Sequence, residues 1–419
     1  MNSRGLVERE TNLESLFLNQ INNVFENSPF YRKKFFEKQI VSQDISSIND
    51  IHKLPFTTKE ELREAYPLGL SAVNEEQIVR IHSSSGTTGT PVIIPYTQND
   101  VDHWKEMMKR CYQFAGLSSK DRIQITPGYG LWTAGIGFQL GAEYLGAMVI
   151  PMGPGNTEKQ IQMMVDLKST AITATSSYAL LLAEEINKRG LLDKINLKVG
   201  IFGSERWGDK QRKKIEEYLN IETFDIYGLT EVYGPGIAID CKYHEGLHYF
   251  DDYLYFEIID PETGKVLPDG EYGELVITTL RKEGAPLIRY RTRDITRKLI
   301  GSCKCGSSYP RIDRIIGRTD DMVKVKGVNM FPAQIDSLLK DIDGVSCEYQ
   351  LIIERIDSRE KVTLKVETET NTNNKELISS IQHQFKNRIG LSPEVELLRI
   401  GELPRSEKKT KRIFDLREG

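Results

Sequence analysis

Apolar residues Leu13, Leu16, Phe17, Ile21, Val24 and Phe25 recur at three- and four-residue steps, the spacing of one helix face, and Ser28-Pro29 ends the run. Residues 1–80 read as a helical N-terminal segment of a larger domain. From residue 81 the pattern changes. Short apolar runs at 122–126, 147–151, 171–175, 199–203 and 222–227 alternate with helical patterns at 158–168 and 178–188. Strand, helix, strand at this spacing predicts a parallel α/β sheet covered on both faces. Residues 250–300 differ: strands at 253–259 and 274–279 are separated by Pro-Glu-Thr-Gly and Pro-Asp-Gly turns, an antiparallel β region. The last hundred residues or so alternate again, with strands at 322–325, 348–354, 361–366 and 395–400 and helices at 332–340 and 375–388. The expected fold is therefore an α/β body over 1–320, its core at 81–320, with a small α+β C-terminal domain over 321–419.

Charge and cysteine usage narrow the class. With 56 basic and 60 acidic residues the formal charge is −4, too balanced for a protein that coats nucleic acid or anionic lipid. No run approaches the roughly 20 apolar residues of a membrane span, and the mixed-charge N-terminus reads as neither a signal peptide nor a mitochondrial leader. Five irregularly spaced cysteines do not make a secreted disulfide framework, so a cytoplasmic protein with reduced thiols is expected. Cys241 and His248, followed by Cys303-Lys304-Cys305-Gly306, can supply four ligands to a structural zinc ion, with His244 as an alternative fourth ligand. Three buried thiols and a surface histidine would fit the same spacing.

The most chemical stretch is Ser83-Ser84-Ser85-Gly86-Thr87-Thr88-Gly89-Thr90-Pro91, after an apolar run. Small hydroxyls and glycine amides of this density can wrap phosphate oxygens, although a plain surface linker has a similar composition. It lacks the lysine of G-x-x-x-x-G-K-[ST], and no G-x-G-x-x-G follows a predicted strand, which argues against a dinucleotide dehydrogenase.

That loop, Tyr227-Gly228-Leu229-Thr230-Glu231, Tyr290-Arg291-Thr292-Arg293-Asp294 and Gly317-Arg318-Thr319-Asp320-Asp321 occur in the order of the adenylate-forming ligases. Within that superfamily the chain resembles the phenylacetate–coenzyme A ligase branch. Leu54-Pro55-Phe56-Thr57-Thr58-Lys59, Tyr129-Gly130-Leu131-Trp132, the stretch 225–236 and Leu403-Pro404-Arg405-Ser406 carry the likeness, from about residue 13 to the end.

The resemblance implies attack of a carboxylate on the α-phosphorus of ATP, then capture of the acyl-adenylate by a thiol. It also implies a large body with a small mobile lid. Ser84, Ser85, Gly86, Thr87, Thr88 and Gly89 match the triphosphate loop, with Thr87 counted as catalytic. Glu231 matches the Mg2+ ligand and Asp294 the ribose-binding carboxylate, with Arg293 where many relatives outside the branch have Gly. Ser204 and Glu205 match the adenine-side turn, Tyr227 a stacking aromatic, and Asp225, Gly228 and Thr230 further nucleotide contacts. Arg318 bridges nucleotide and hinge, and Asp320 and Asp321 form the hinge. Lys409 matches the lysine that neutralises the reacting phosphate, in a tail where Lys408 and Lys411 compete for the assignment and Lys408 replaces the usual Gly. Lys326, beside Lys324 and Gly327, is a candidate contact for coenzyme A.

Tyr129, Gly130, Trp132, Gly135, Gly234 and Pro235 combine aromatic and small residues that can shape a slot for a flat ring or simply pack as core; Phe138, Tyr178 and Ile237 are further candidates for its walls. The expected substrate is an aromatic carboxylic acid, phenylacetate-like or benzoate-like, with ATP, Mg2+ and coenzyme A as cosubstrates and cofactor. Two alternatives stand beside it: loading of a carrier-protein pantetheine or an amine, and a catalytically silent nucleotide-binding regulator. The apolar stripe of the first helix could serve a homodimer or pack on the chain's own sheet.

Overall fold

The computed structural model describes residues 3–84, 90–321, 323–356, 359–405 and 411–417. Its centre is a nine-stranded sheet. Met148–Pro151, Arg122–Ile125, Ala171–Thr175, Val199–Gly203 and Glu222–Leu229 run parallel. Gly234–Ile239, Leu247–Tyr249, Arg311–Ile312 and Lys298–Leu299 continue it antiparallel. Alternate residues of the parallel strands serve two cores. Ile123, Ile125 and Ile201 pack with Trp104, Met107 and Phe138, whereas Ile172, Ala174 and Phe202 pack with Ile161, Leu182 and Ile215. Both faces are thus covered, which is why these strands read as continuous apolar runs.

Two helices of the first layer, Gln98–Phe114 and Thr133–Leu145, lie where the sequence pattern announces none. Glycines disguise the second. A Cβ on Gly137 would fall 2.3 Å from the Trp104 ring, and one on Gly141 2.3 Å from Met108 Cβ. The helices approach so closely that only glycine fits, and the same glycines erase the helical signal.

After Arg122–Ile125 the chain builds the edge strand Met148–Pro151 and then crosses back to pair Ala171–Thr175 on the other side of its starting strand. Connections therefore diverge at the carboxyl ends of Ile125 and Thr175, leaving the crevice where open α/β sheets take ligands.

The N-terminal helices Ser3–Asn27 and Pro29–Glu37 bury Phe17, Ile21, Val24, Tyr31 and Phe35 against Leu280 and Ile288. The apolar stripe is covered by the chain itself, on the loop between two strands of the antiparallel sheet Leu254–Ile259, Gly273–Thr279, Tyr290–Thr296 and Gly317–Arg318. Of the two uses open to that stripe, a homodimer contact or packing within the chain, the structure shows packing within the chain.

The C-terminal unit has its own core. Its sheet runs Glu394–Arg399, Arg359–Thr368, Val345–Ile356, Ile413–Asp415, with helices Pro332–Lys340 and Lys375–Ile389. Polar contacts seat it on the body. Lys210 Nζ donates to the carbonyls of Leu339 (2.8 Å), Ile342 (2.7 Å) and Val345 (3.2 Å), at the negative end of helix Pro332–Lys340. Arg405 joins Glu184 of the body at 3.0 Å to Glu367 of its own unit at 2.8 Å.

Candidate active site

The carboxyl edge of the parallel strands gathers most of the described candidate residues. Strand Glu222–Leu229 turns sharply into Gly234–Ile239, and a Cβ on Gly228 would lie 1.9 Å from the Gly234 carbonyl, so the turn requires glycine. Glu231 sits on this turn, buried, with Oε1 3.0 Å from Lys59 Nζ. Lys59 opens the helix Lys59–Glu64, whose N-cap Thr58 and Glu61 form a capping box. That box is the sequence signal for the helix start, but nothing local announces a partner 172 residues away.

Asp294, buried on strand Tyr290–Thr296, accepts the Tyr227 hydroxyl at 2.5 Å on one oxygen and Arg318 at 3.2 Å on the other. A carboxylate oxygen accepts two bonds, so each retains an acceptor position beside these partners. Burial raises the Asp294 carboxyl to about 6 despite the adjacent guanidinium. Arg318 also holds Asp320 (2.8 and 3.0 Å), and Asp320 accepts from Arg293 at 3.2 Å. Arg293 reaches Glu60 at 2.6 Å, beside Lys59. A continuous ionic chain thus runs from the Asp294 carboxylate through Asp320 and back to the Lys59 helix. Tyr227, expected to stack, spends its hydroxyl on Asp294. Asp321 follows Asp320 in the same turn, exposed.

On strand Val199–Gly203 the chain turns at Ser204, whose φ is +69°. Glu205 Oε1 then accepts from Ser177 N (2.6 Å) and Ser176 Oγ (3.2 Å), so its carboxylate caps helix Ser176–Lys188. Asp225 accepts the Trp207 indole N–H at 3.1 Å; burial and neighbouring Asp240 push its carboxyl up to about 6. Thr230 Oγ1 lies 3.3 Å from Thr133 Oγ1, which ties the Glu231 turn to the slot segment.

In that segment Gly130 has φ +96°, Leu131 and Trp132 are exposed, and Tyr129 is half-buried with its hydroxyl unpaired among the described residues. A Cβ on Gly135 would strike the Gly128 carbonyl (2.7 Å) and the Tyr129 ring (2.9 Å). Gly234 (φ +111°) lies against Trp104 and Thr133, and the Pro235 carbonyl accepts the Trp104 indole N–H at 2.9 Å. Trp104, on a helix the sequence did not reveal, thus sets the floor that Gly234 and Pro235 share. Phe138, Tyr178 and Ile237 are packed as core.

Ser85, Gly86, Thr87, Thr88, Gly89 and Lys409 lie outside the described residues. Ser84 accepts the Val92 N–H at 3.0 Å beside the hairpin of Arg80–Ser83 and Ile93–Tyr96. Lys326 lies in the tight turn between Val323–Val325 and Val328–Met330 of the small unit, its backbone N–H on Glu360 at 2.5 Å.

Beside the antiparallel strands of the main sheet, Cys241 Sγ lies 3.6 Å from Cys303 Sγ, and Cys305 Sγ 3.4 Å from His248 Nε2. All four ligand atoms fall within 4.8 Å of one another. Tetrahedral zinc with 2.3 Å Zn–S and 2.0–2.1 Å Zn–N bonds needs separations of about 3.5–3.8 Å. His248 Nδ1 faces the Tyr309 carbonyl at 3.1 Å, which fixes Nε2 as the free ligand nitrogen. His244, the alternative, is engaged with Asp240 at 2.8 Å and Arg212 at 3.0 Å, outside the cluster.

Residues 26–280 match the AMP-binding enzyme family and residues 327–417 the AMP-binding enzyme C-terminal domain. The chain is 44% identical to the phenylacetate-coenzyme A ligase of Escherichia coli over 95% of this chain and 92% of that one. It is 38% identical to the enzyme of that name from Thermus thermophilus, over 94% of each. Among solved structures, 2-hydroxyisobutyryl-CoA ligase in the postadenylation state with an acyl-AMP overlays at TM-score 0.89, 26% identity, covering 98% of this chain and 90% of the other. The same ligase in the thioesterification state overlays at only 0.71, with the same identity and coverage.

Proposed function

The chain belongs to the AMP-binding enzymes, the adenylate-forming ligases, and on that premise we propose that it joins an aromatic carboxylic acid, phenylacetate-like or benzoate-like, to coenzyme A. In the first step the acid's carboxylate attacks the α-phosphorus of ATP and pyrophosphate leaves. In the second the coenzyme A thiolate attacks the acyl carbon and AMP leaves. The observation that carries the reading is the pairing of 38–44% identity to phenylacetate–coenzyme A ligases with Glu231 and Asp294 held at the carboxyl edge of the parallel sheet.

Asp294 accepts ribose hydroxyls on its open acceptor positions while Tyr227 and Arg318 hold its plane. Glu231 suits Mg2+: it is a buried hard-oxygen donor on which a cation, the Lys59 ammonium, already rests. The ion, when bound, supplies positive charge to the triphosphate. Residues 84–89 wrap the phosphates and Lys409 neutralises the reacting phosphoryl oxygens, roles carried by the resemblance. Tyr129, Gly130, Trp132, Gly135, Gly234 and Pro235 frame the acyl slot. The small unit pivots at Asp320 and Asp321, and Lys326 meets coenzyme A. The overlay with a postadenylation complex supports reading the present lid position as that of adenylation rather than thioester formation. Cys241, His248, Cys303 and Cys305 hold a structural zinc ion that staples the antiparallel end of the main sheet. Use of ATP and coenzyme A, with unpaired thiols, favours a cytoplasmic location.

Pyrophosphate release measured across a panel of aryl acids, with and without coenzyme A, tests the reading. Acid-dependent release and thioester formation are expected; no release with any acid would overturn it.

A further inference from the structure

One charge has no part in the reaction above. Lys282 is fully buried, yet its Nζ lies over the Tyr96 ring at 3.8 Å and the Tyr233 ring at 4.2 Å, and donates to the Val232 carbonyl at 2.5 Å. The acid that bears on it most, Asp100, already accepts the N–H groups of Thr97, Glu283 and Gly284 at 2.8–3.1 Å. Burial pushes the Lys282 ammonium down to about 7, opposed by the Asp100 charge. The two ring faces and the Val232 carbonyl are its direct contacts. Burying an ammonium this way costs free energy, and an apolar side chain of similar length would fill the space without that cost.

What the ammonium does is local. Val232 follows Glu231, and the next carbonyl, Tyr233, accepts the Tyr96 hydroxyl at 2.9 Å, while Trp104 holds that of Pro235. Each carbonyl is gripped from below, and Lys282 grips the one nearest the carboxylate. The lysine is itself anchored at both ends of its peptide, by Gln20 Nε2 on its carbonyl at 2.7 Å and by Asp100 on the two following amides. Tyr96 lies on strand Ile93–Tyr96, so the grip ties that strand to the Glu231 turn.

We propose that Lys282 is a positioning residue: held between two tyrosine faces, it fixes the Val232 carbonyl and so aims the Glu231 carboxylate at the divalent cation that accompanies the nucleotide. The inference rests on the ligase reading. Outer-sphere supports of metal ligands typically contribute about 10- to 100-fold in metal affinity.

Calorimetric ATP binding to the full chain without acid, with and without Mg2+, provides the test. In Lys282→Met the Mg2+-dependent gain in ATP affinity is expected to fall about 10-fold, with affinity in chelator unchanged. The Mg2+ concentration for half-maximal pyrophosphate exchange should rise in parallel. A folded Lys282→Met protein with the wild-type Mg2+-dependent gain overturns the proposal, even if its melting temperature falls. Should that variant fail to fold, Tyr233→Leu, which removes one ring face, decides: a smaller shift in the same direction supports the proposal and no shift overturns it. If wild-type protein binds ATP with no Mg2+ dependence, the ligase reading itself fails.

Discussion

The crevice and the cysteine cluster lie at different parts of one sheet and use their polar groups in opposite ways. At the carboxyl edge of the parallel strands, Asp294 and Glu231 are held by tyrosine, arginine and lysine yet keep acceptor positions open. At the antiparallel end, the ligand atoms of three thiols and an imidazole lie within 4.8 Å of one another, two of the pairs at 3.4 and 3.6 Å. On the proposed reading the first arrangement is completed by a ligand that arrives and leaves, whereas the second, once it holds zinc, is closed to substrate. Substitutions in the crevice should therefore change chemistry with little change in stability, and those in the cluster the reverse.

The largest effect is expected at Lys409. Lys409→Ala should lower pyrophosphate exchange by about 10²–10³-fold, while thioester formation from supplied acyl-adenylate survives. Unchanged exchange would shift the role to Lys408 or Lys411. Next comes Asp294→Asn, expected to raise the KM for ATP about 10- to 100-fold, since a hydrogen bond to a charged group contributes about 1.5–3 kcal/mol. Wild-type ATP affinity should also weaken as pH falls below about 6, where Asp294 takes up a proton, and the Asn variant should lack that dependence. Stability runs the other way. The folded chain binds the extra proton between the ordinary value of 3.8 and about 6, so the burial cost of this carboxylate is absent below 3.8 and complete above about 6.

At the cluster, Cys303→Ser should abolish stoichiometric zinc by elemental analysis and lower the melting temperature by several degrees. Its kcat at 25 °C should stay within about twofold, because the site is closed to substrate. A large loss of kcat at full stability would break the contrast between the two regions. The smallest change is expected from Lys210→Met, which leaves the Leu339, Ile342 and Val345 carbonyls without their cation. A helix-terminal charge contributes about 0.3–1 kcal/mol, so adenylation should slow by up to about fivefold and thioester formation should not. Equal slowing of both half-reactions would show that Lys210 does not bias the lid.

What could be read from the sequence follows the same contrast. The parallel strands were legible because burial on both faces writes them as unbroken apolar runs, and Ala171–Thr175 and Val199–Gly203 match residue for residue. The motif order exposed Glu231, Asp294 and Arg318. Helix Thr133–Leu145 was hidden because Gly135, Gly137 and Gly141 serve close packing, and its first turn was read as slot alone. Lys59 and Trp104 were missed because their partners lie 172 and 131 residues away, and a single sequence carries no record of such pairs. Glu205 shows a subtler limit: the resemblance marked Ser204 and Glu205 as a turn on the adenine side, but nothing in the sequence revealed that the Glu205 carboxylate caps the neighbouring helix. The choice between His244 and His248 needed geometry, since the contacts with Asp240 and Arg212 that engage His244 are not visible in the sequence.

Arg318 joins Asp294 to Asp320, which makes one guanidinium common to the carboxylate proposed to hold ribose and the proposed pivot. Two equilibria that share a group are linked, and linkage is reciprocal: if nucleotide favours one lid orientation by some factor, that orientation tightens nucleotide by the same factor. AMP would then be held most firmly while the lid keeps its adenylation position and loosened once the lid turns, so product release would be timed by rotation instead of by a separate gate.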